Sequence, residues 1–328
     1  MKKHILVLLG LSSFILASCG FKADYKNPSK SATKGEFFAK LTEATESNAF
    51  LEDDYKESTF IEKKQSLKAN ISQKRGSKTI YSLKGRTSET DKVNINLDEK
   101  MIDLKAKGSI LARTKVGDSK EHQAEKIKSH SNVLRDENML LEVEECERTK
   151  TYLQEIDNDL FDTYLSTRLK AYLSVEIVSK LAFMSSLDYL TDDESKINYF
   201  VDDDIYTVTL TDEQKIGLGE TKEDYSKGYV IQNIEYKFQY KLSDEEVTVY
   251  MFQKETTKAT LESKDVKNKL LNEFSLANPS SLIEGDTLEE TFENVSTSKI
   301  KKEKVAVKKI SGTDNFEGID FPEIWNED

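Results

Sequence analysis

The sequence predicts an α+β fold, a large antiparallel sheet with packed amphipathic helices, on three observations. Apolar and polar residues alternate over several separate stretches, and two other stretches carry apolar residues at helical spacing. Only three prolines, Pro28, Pro279 and Pro322, occur in 328 residues. Alternation of period two marks strands with one buried and one wet face, and a period of 3.6 marks an apolar helix stripe. Scarce proline suits long unbroken strands, because proline cannot donate to a ladder.

The first segment, residues 1–18, is a leader. Lys2 and Lys3 precede an apolar run over residues 5–16, broken only by Gly10, Ser12 and Ser13. A bilayer core takes about 20 apolar residues to cross, so the run is too short, and its charge order is that of a secretory signal. It closes on Leu16-Ala17-Ser18-Cys19, which resembles the bacterial lipobox. The resemblance implies that the Cys19 sulfur receives diacylglycerol and that a peptidase cuts just before it. The mature chain would then be lipid-anchored on the extracytoplasmic face of the cell membrane. The residue types suit that chemistry: the thiol is the nucleophile, and small residues before it admit the backbone to the peptidase. A generic signal with an incidental cysteine is the alternative. Two acyl chains, at about 0.8 kcal/mol per buried methylene, suffice for stable anchoring.

Residues 19–33 are small and polar and read as a flexible tether. The body is expected over residues 34–255. Phe37, Phe38, Leu41 and Ala44 recur at helical spacing, with Thr33 as N-cap and Glu36 completing a capping box. Strands follow at Leu67, Ala69 and Ile71, then Tyr81 and Leu83 after the turn residues Gly76 and Ser77. Val93, Ile95 and Leu97 continue the meander, followed by Ile102, Leu104 and Ala106. Asp98, Glu99 and Lys100 read as one turn, Lys107 and Gly108 as another. Residues 117–131 are very polar and read as an interruption before Met139, Leu141 and Val143. One long helix is expected over residues 160–184, its stripe running through Phe161, Leu165, Leu169, Leu173, Ile177 and Met184.

A second set of strands begins with Tyr199 and Val201, turns at Asp202, Asp203 and Asp204, and resumes with Tyr206, Val208 and Leu210. The cleanest alternation runs through Val230, Ile234, Tyr236, Phe238, Tyr240 and Leu242. A turn over residues 243–246 leads to Val247, Val249 and Met251. Residues 256–328 read as a polar, partly ordered C-terminal extension whose tail holds Phe316, Phe321 and Trp325.

The order of tether, helix, strand meander, helix and more long strands resembles the half-open β-barrel carriers of the LolA and LppX/LprG type. Over residues 33–255 that resemblance implies a curved sheet wrapped around helices and an apolar cavity for acyl chains. Ile234, Tyr236, Phe238 and Tyr240 would then line the cavity. The same residues also suit a filled core.

The formal net charge of −12 disfavours nucleic acid and anionic headgroups as general partners, without excluding a local basic patch. With Cys19 acylated, only Cys146 remains, so no intrachain disulfide forms. Cys146 lies among Glu142, Glu144, Glu145 and Glu147, a setting that disfavours the thiolate, and reads as a plain strand residue. His122 and His130, eight residues apart and without a cysteine cluster, read as solvated rather than as metal ligands. Asp192, Asp193 and Glu194, like Asp202, Asp203 and Asp204, lack the spacing and central glycine of a calcium loop and read as turns and caps. No nucleophile elbow, P-loop or dinucleotide fingerprint occurs, and Gly217-Leu218-Gly219 lacks a third glycine. No catalytic residue, metal or cofactor is expected. Two functions remain: a lipoprotein binding a lipid or other apolar ligand, or a surface lipoprotein engaging another envelope protein.

Overall fold

A computed structural model describes residues 25–48, 50, 57–145, 148–155, 158–170, 179–185, 187–261 and 283–310. Twelve strands form one antiparallel sheet: β1 (Ser31–Ala32), β2 (Thr59–Arg75), β3 (Lys78–Asn96), β4 (Met101–Val116), β5 (Ser119–Leu134), β6 (Asn138–Glu145), β7 (Arg148–Glu155), β8 (Ile197–Asp202), β9 (Ile205–Gly217), β10 (Tyr229–Leu242), β11 (Glu246–Thr260) and β12 (Asp286–Lys302). The described α-helices are α1 (Lys34–Glu46), α2 (Asn158–Lys170) and α3 (Ser179–Ser185), beside two short 3-10 turns, Leu187–Tyr189 and Glu194–Lys196. The fold is therefore mostly β rather than the α+β balance expected. The expected large antiparallel sheet is present, and it is open, with order β1-β8-β9-β10-β11-β12-β2-β3-β4-β5-β6-β7.

Helix α1 starts where the capping box places it. Glu36 N–H donates to Thr33 Oγ1 at 3.2 Å, and Thr33 N–H donates back to Glu36 Oε2 at 2.9 Å. Its stripe buries Phe37 and Leu41, and the Phe37 ring lies 5.3 Å from Tyr199. The expected long helix corresponds to α2 and α3, with residues 171–178 outside the described set.

Direct cross-strand pairs share a face, so the register sorts the sheet into an inner, helix-bearing face and an outer one. The row Phe238–Val208 and the row Val247–Ile300–Ile61–Val93–Leu104 point inward. They join Phe37, Phe161 and Met184 in one core cluster at one end of the sheet. A second, smaller cluster of Leu218, Val230, Ala259, Leu261 and Leu288 lies toward the opposite end of the strands. Polar side chains link across the inner face between them: Asn294 Nδ2 donates to Gln253 at 3.0 Å, and Gln65 Nε2 donates to Asn294 at 3.3 Å.

Three expectations are corrected. Residues 117–131 are no interruption: after a turn at Gly117 and Asp118 they form most of β5, paired with β4 and β6. Lys107 and Gly108 sit inside β4 rather than at a turn. The body does not end at residue 255, since β11 runs on to Thr260 and β12 lies between β11 and β2 in mid-sheet. Polar β12 is held there by its ladders to β11 and β2, with Ser296 and Ser298 facing inward between Met251 and Val249 of β11 and Gln65 and Lys63 of β2.

Phe238 is fully buried at the centre of the larger cluster. Truncating a buried phenylalanine costs roughly 3–5 kcal/mol. Phe238→Ala is expected to lower the unfolding free energy from urea titration by that amount, whereas Thr33→Ala, which removes only a cap, costs about 1 kcal/mol. Equal losses would contradict the core position of Phe238.

Candidate functional site

Strand β10 brings the four candidate lining residues to the inner face, where Ile234, Tyr236, Phe238 and Tyr240 are all buried. Tyr236 and Phe238 run nearly parallel, at an interplanar angle of 7°. The Phe183 ring of α3 lies 5.5 Å from Phe238 and 6.2 Å from Tyr236. Burial, and then its hydrogen bond to Glu255, push the Tyr236 phenol well above its usual range. Tyr240 is deeper still. Its hydroxyl has no hydrogen-bond partner among the described residues, and desolvation raises its pKa well above that of a free phenol.

Between α2 and the sheet, Tyr164 closes a cavity over Ile102, Leu104, Ser131, Val133 and Met139. It holds about 20 Å³, room for one water against the unpartnered Ser131 hydroxyl. Small-molecule pockets take roughly 300–1,000 Å³. The four β10 residues thus pack as core among the described residues, and none of them lines this cavity.

The outer face holds both ends of the described chain. Lys26 N–H donates to Gln239 Oε1 at 2.9 Å, and Gln239 Nε2 donates back to Lys26 O at 2.7 Å. The Tyr25 ring lies 5.0 Å from Tyr250. Asp202 accepts from the backbone of Ser29 and Lys30 and from the Ser29 hydroxyl, bonds that hold its carboxyl below the usual range. A polar groove of about 310 Å³ lies along this contact, between 26–30 and the turn of Asp203 and Asp204. The expected tether is thus fixed to the body from Tyr25 on.

At the other end, Asn94 Nδ2 donates to Val305 O at 2.9 Å and Ile310 N–H donates to Asn132 Oδ1 at 2.6 Å. Under this strap lies the row Asn94–Asp103–Asn132. Asp103 Oδ1 lies 2.6 Å from His130 Nε2 and accepts from Asn132 Nδ2 at 2.9 Å. Its Oδ2 accepts from Lys105 at 2.8 Å. Burial alone would raise the Asp103 pKa, but these contacts outweigh it and hold the carboxyl below its usual value. His130 is therefore a member of a buried network rather than a solvated side chain.

The remaining candidates are turns. Asp193 caps the short helix Glu194–Lys196 by accepting from Ser195 N–H. Asp224 accepts from the Ser226 hydroxyl and from the backbone of Ser226 and Glu220, which brings its pKa to about 2. A side chain on Gly219 would collide with that carboxylate. No group of three or more His, Cys, Asp or Glu side chains suited to a metal occurs among the described residues, and no described helix is long and apolar enough to cross a membrane. Cys19, Cys146 and Trp325 lie outside the described residues. No protein-family model matches the chain, and no curated protein matches it.

A depressed carboxyl stabilises above its unfolded value, near pH 4, and that stabilisation is lost as the pH falls through the folded value. Asp103→Asn is expected to cost about 2 kcal/mol at pH 7 and much less at pH 3, measured by urea unfolding at both. The same loss at both pH values would show that charge plays no part.

Proposed function

We propose that the chain is a lipid-anchored extracytoplasmic protein of the cell envelope that acts by surface contact rather than catalysis. Diacylglycerol on Cys19 is its membrane attachment, and its partner is another envelope component. The observation that carries this reading is the position of the lipobox relative to the body. Only residues 20–24 separate Cys19 from Tyr25, which already lies on the sheet. The anchor thus holds the body close to the bilayer. The packed interior around Phe238 and the cavity of about 20 Å³ favour a filled core over a carrier.

A second reading keeps the body as a half-open barrel of the LolA or LppX/LprG type, its sheet curved about an apolar ligand. What favours it is the aromatic cluster of Phe183, Tyr236 and Phe238 on the inner face, with Phe183 partly open to solvent.

Cells fed an alkyne fatty acid are expected to label the chain, and Cys19→Ala to abolish the label and the shift to mature size. Label surviving in Cys19→Ala would overturn the anchor. For the body, native mass spectrometry of the Cys19→Ala chain is expected to give the bare polypeptide mass. A bound lipid of fixed mass would instead establish the carrier.

A further inference from the structure

Sorting charges by register separates them in a way that composition conceals. On the outer face of β3, β4 and β5, basic residues stand directly opposite one another. The pairs are Lys84 with Arg113, Lys92 with Lys105, Lys107 with Lys128, and Lys115 with Lys120. Like charges directly opposite across a ladder are destabilising. Lys92, Lys105 and Lys128 are offset by Glu62, Asp103 and Glu144. Lys84, Lys107, Arg113, Lys115, Lys120 and Lys126 have no ion-pair partner among the described residues, and all but Lys115 are exposed. The inner face of the same strands is mainly acidic, with Glu89, Asp91, Glu121 and Glu125. An acidic chain of net charge −12 therefore presents one broad basic surface.

The chain's path says what that surface meets. Tyr25 rests on Tyr250, and Tyr250 is paired with Gln239 on the outer face. Six steps of extended chain, at about 3.3–3.6 Å each, place Cys19 within roughly 20 Å of Tyr25. An acylated Cys19 would thus hold the outer face, rather than the helices, next to the bilayer. The strap at 303–310 crosses the same face only at the end of β3 and β5 where the core lies, through Asn94 and Asn132. Lys84, Arg113, Lys115 and Lys120 lie toward the other end of these strands.

We infer that the outer face of β3–β5 docks on anionic phospholipid headgroups, laying the sheet flat against the membrane to which Cys19 is tied. The inference rests on the lipid-anchored reading for its choice of partner, while the contact itself is electrostatic and needs no acyl chain. Lysine and arginine side chains near an anionic leaflet gain attraction that fades within a Debye length. The anchor makes the bilayer this chain's nearest large surface, and the charge of the face supplies the attraction once the two meet.

The test is co-sedimentation of the mature chain, residues 19–328 carrying Cys19→Ser, with vesicles of phosphatidylcholine, alone or mixed with phosphatidylglycerol. Binding to the anionic vesicles is expected to be about tenfold tighter or more, and to fall as salt rises. The substitutions Lys84→Glu, Arg113→Glu, Lys115→Glu and Lys126→Glu together should remove the difference. An equal charge change elsewhere, Lys40→Glu, Lys196→Glu, Lys222→Glu and Lys227→Glu, should leave most of it. Circular dichroism and thermal melting confirm that both variants are folded. Equal binding to both vesicle types, or equal loss in both variants, overturns the proposal. So does a single-stranded oligonucleotide that binds the chain while anionic vesicles do not. The acidic tail 311–328 is the rival occupant: binding by a chain ending at Ile310, but not by the mature chain, would assign the face to the tail. Because the assay lacks the acyl group, its failure leaves the Cys19 labelling result standing. Equally, a failed labelling experiment leaves vesicle binding to be explained by the face alone.

Discussion

The antiparallel register that runs from β1 to β7, with one irregularity between Gln73 and Lys74, determines which residues meet and which face water. A slip of one residue between two strands would carry a whole row to the other face. Ile61, Val93 and Leu104 would leave the core, and Glu62, Lys92 and Lys105 would enter it. Burying such charges unpaired costs far more than a ladder bond returns. The core rows therefore fix the pairing at one end of β2–β5, and the ladder transmits it along strands of 16–19 residues. Toward the far ends little apolar contact is needed, because the register is already set. That freedom is what allows the far half of β5 to carry Glu121, Gln123 and Glu125 on one face and Lys120, His122 and Lys126 on the other.

The same mechanism explains what could be read from the sequence and what could not. Strand β10 was legible because Ile234, Tyr236, Phe238 and Tyr240 face a core while Glu235, Lys237 and Gln239 do not. Helix α1 was legible because its capping box lies in four consecutive residues. Strand β5 was not, since His122, Glu125, Lys126 and Ser129 give no apolar alternation, and its identity comes only from bonds to β4 and β6. Strand β12 stayed hidden for a related reason: Asn294, Ser296 and Ser298 occupy inward positions and break the apolar alternation there. The lipobox shows the converse, a local covalent signal readable in four residues without any fold.

The basic face was also invisible to linear reading, because lysines two apart along a strand share a side only once the segment is known to be a strand. The sequence shows Lys105, Lys107, Arg113 and Lys115 among residues that look merely mixed. Pairing places them beside Lys84, Lys92, Lys120 and Lys128. Net charge misled for the same reason, since it sums over faces that point in opposite directions.

Two independent features then meet on the outer side of the sheet, though on different strands. The N-terminal segment is clasped there through Gln239 and Tyr250, and the C-terminal strap through Asn94 and Asn132. Neither clasp needs the basic rows, and the basic rows weaken the sheet rather than strengthen it. Repulsion among Lys84, Arg113, Lys115 and Lys120 is a cost borne by the isolated chain, relieved wherever a negative surface lies within a Debye length. An anchor at Cys19, with five residues between it and Tyr25, keeps such a surface within roughly 20 Å of the outer face. The unfavourable pairs and the anchored terminus are thus two parts of one arrangement, each accounting for why the other lies on the outer face.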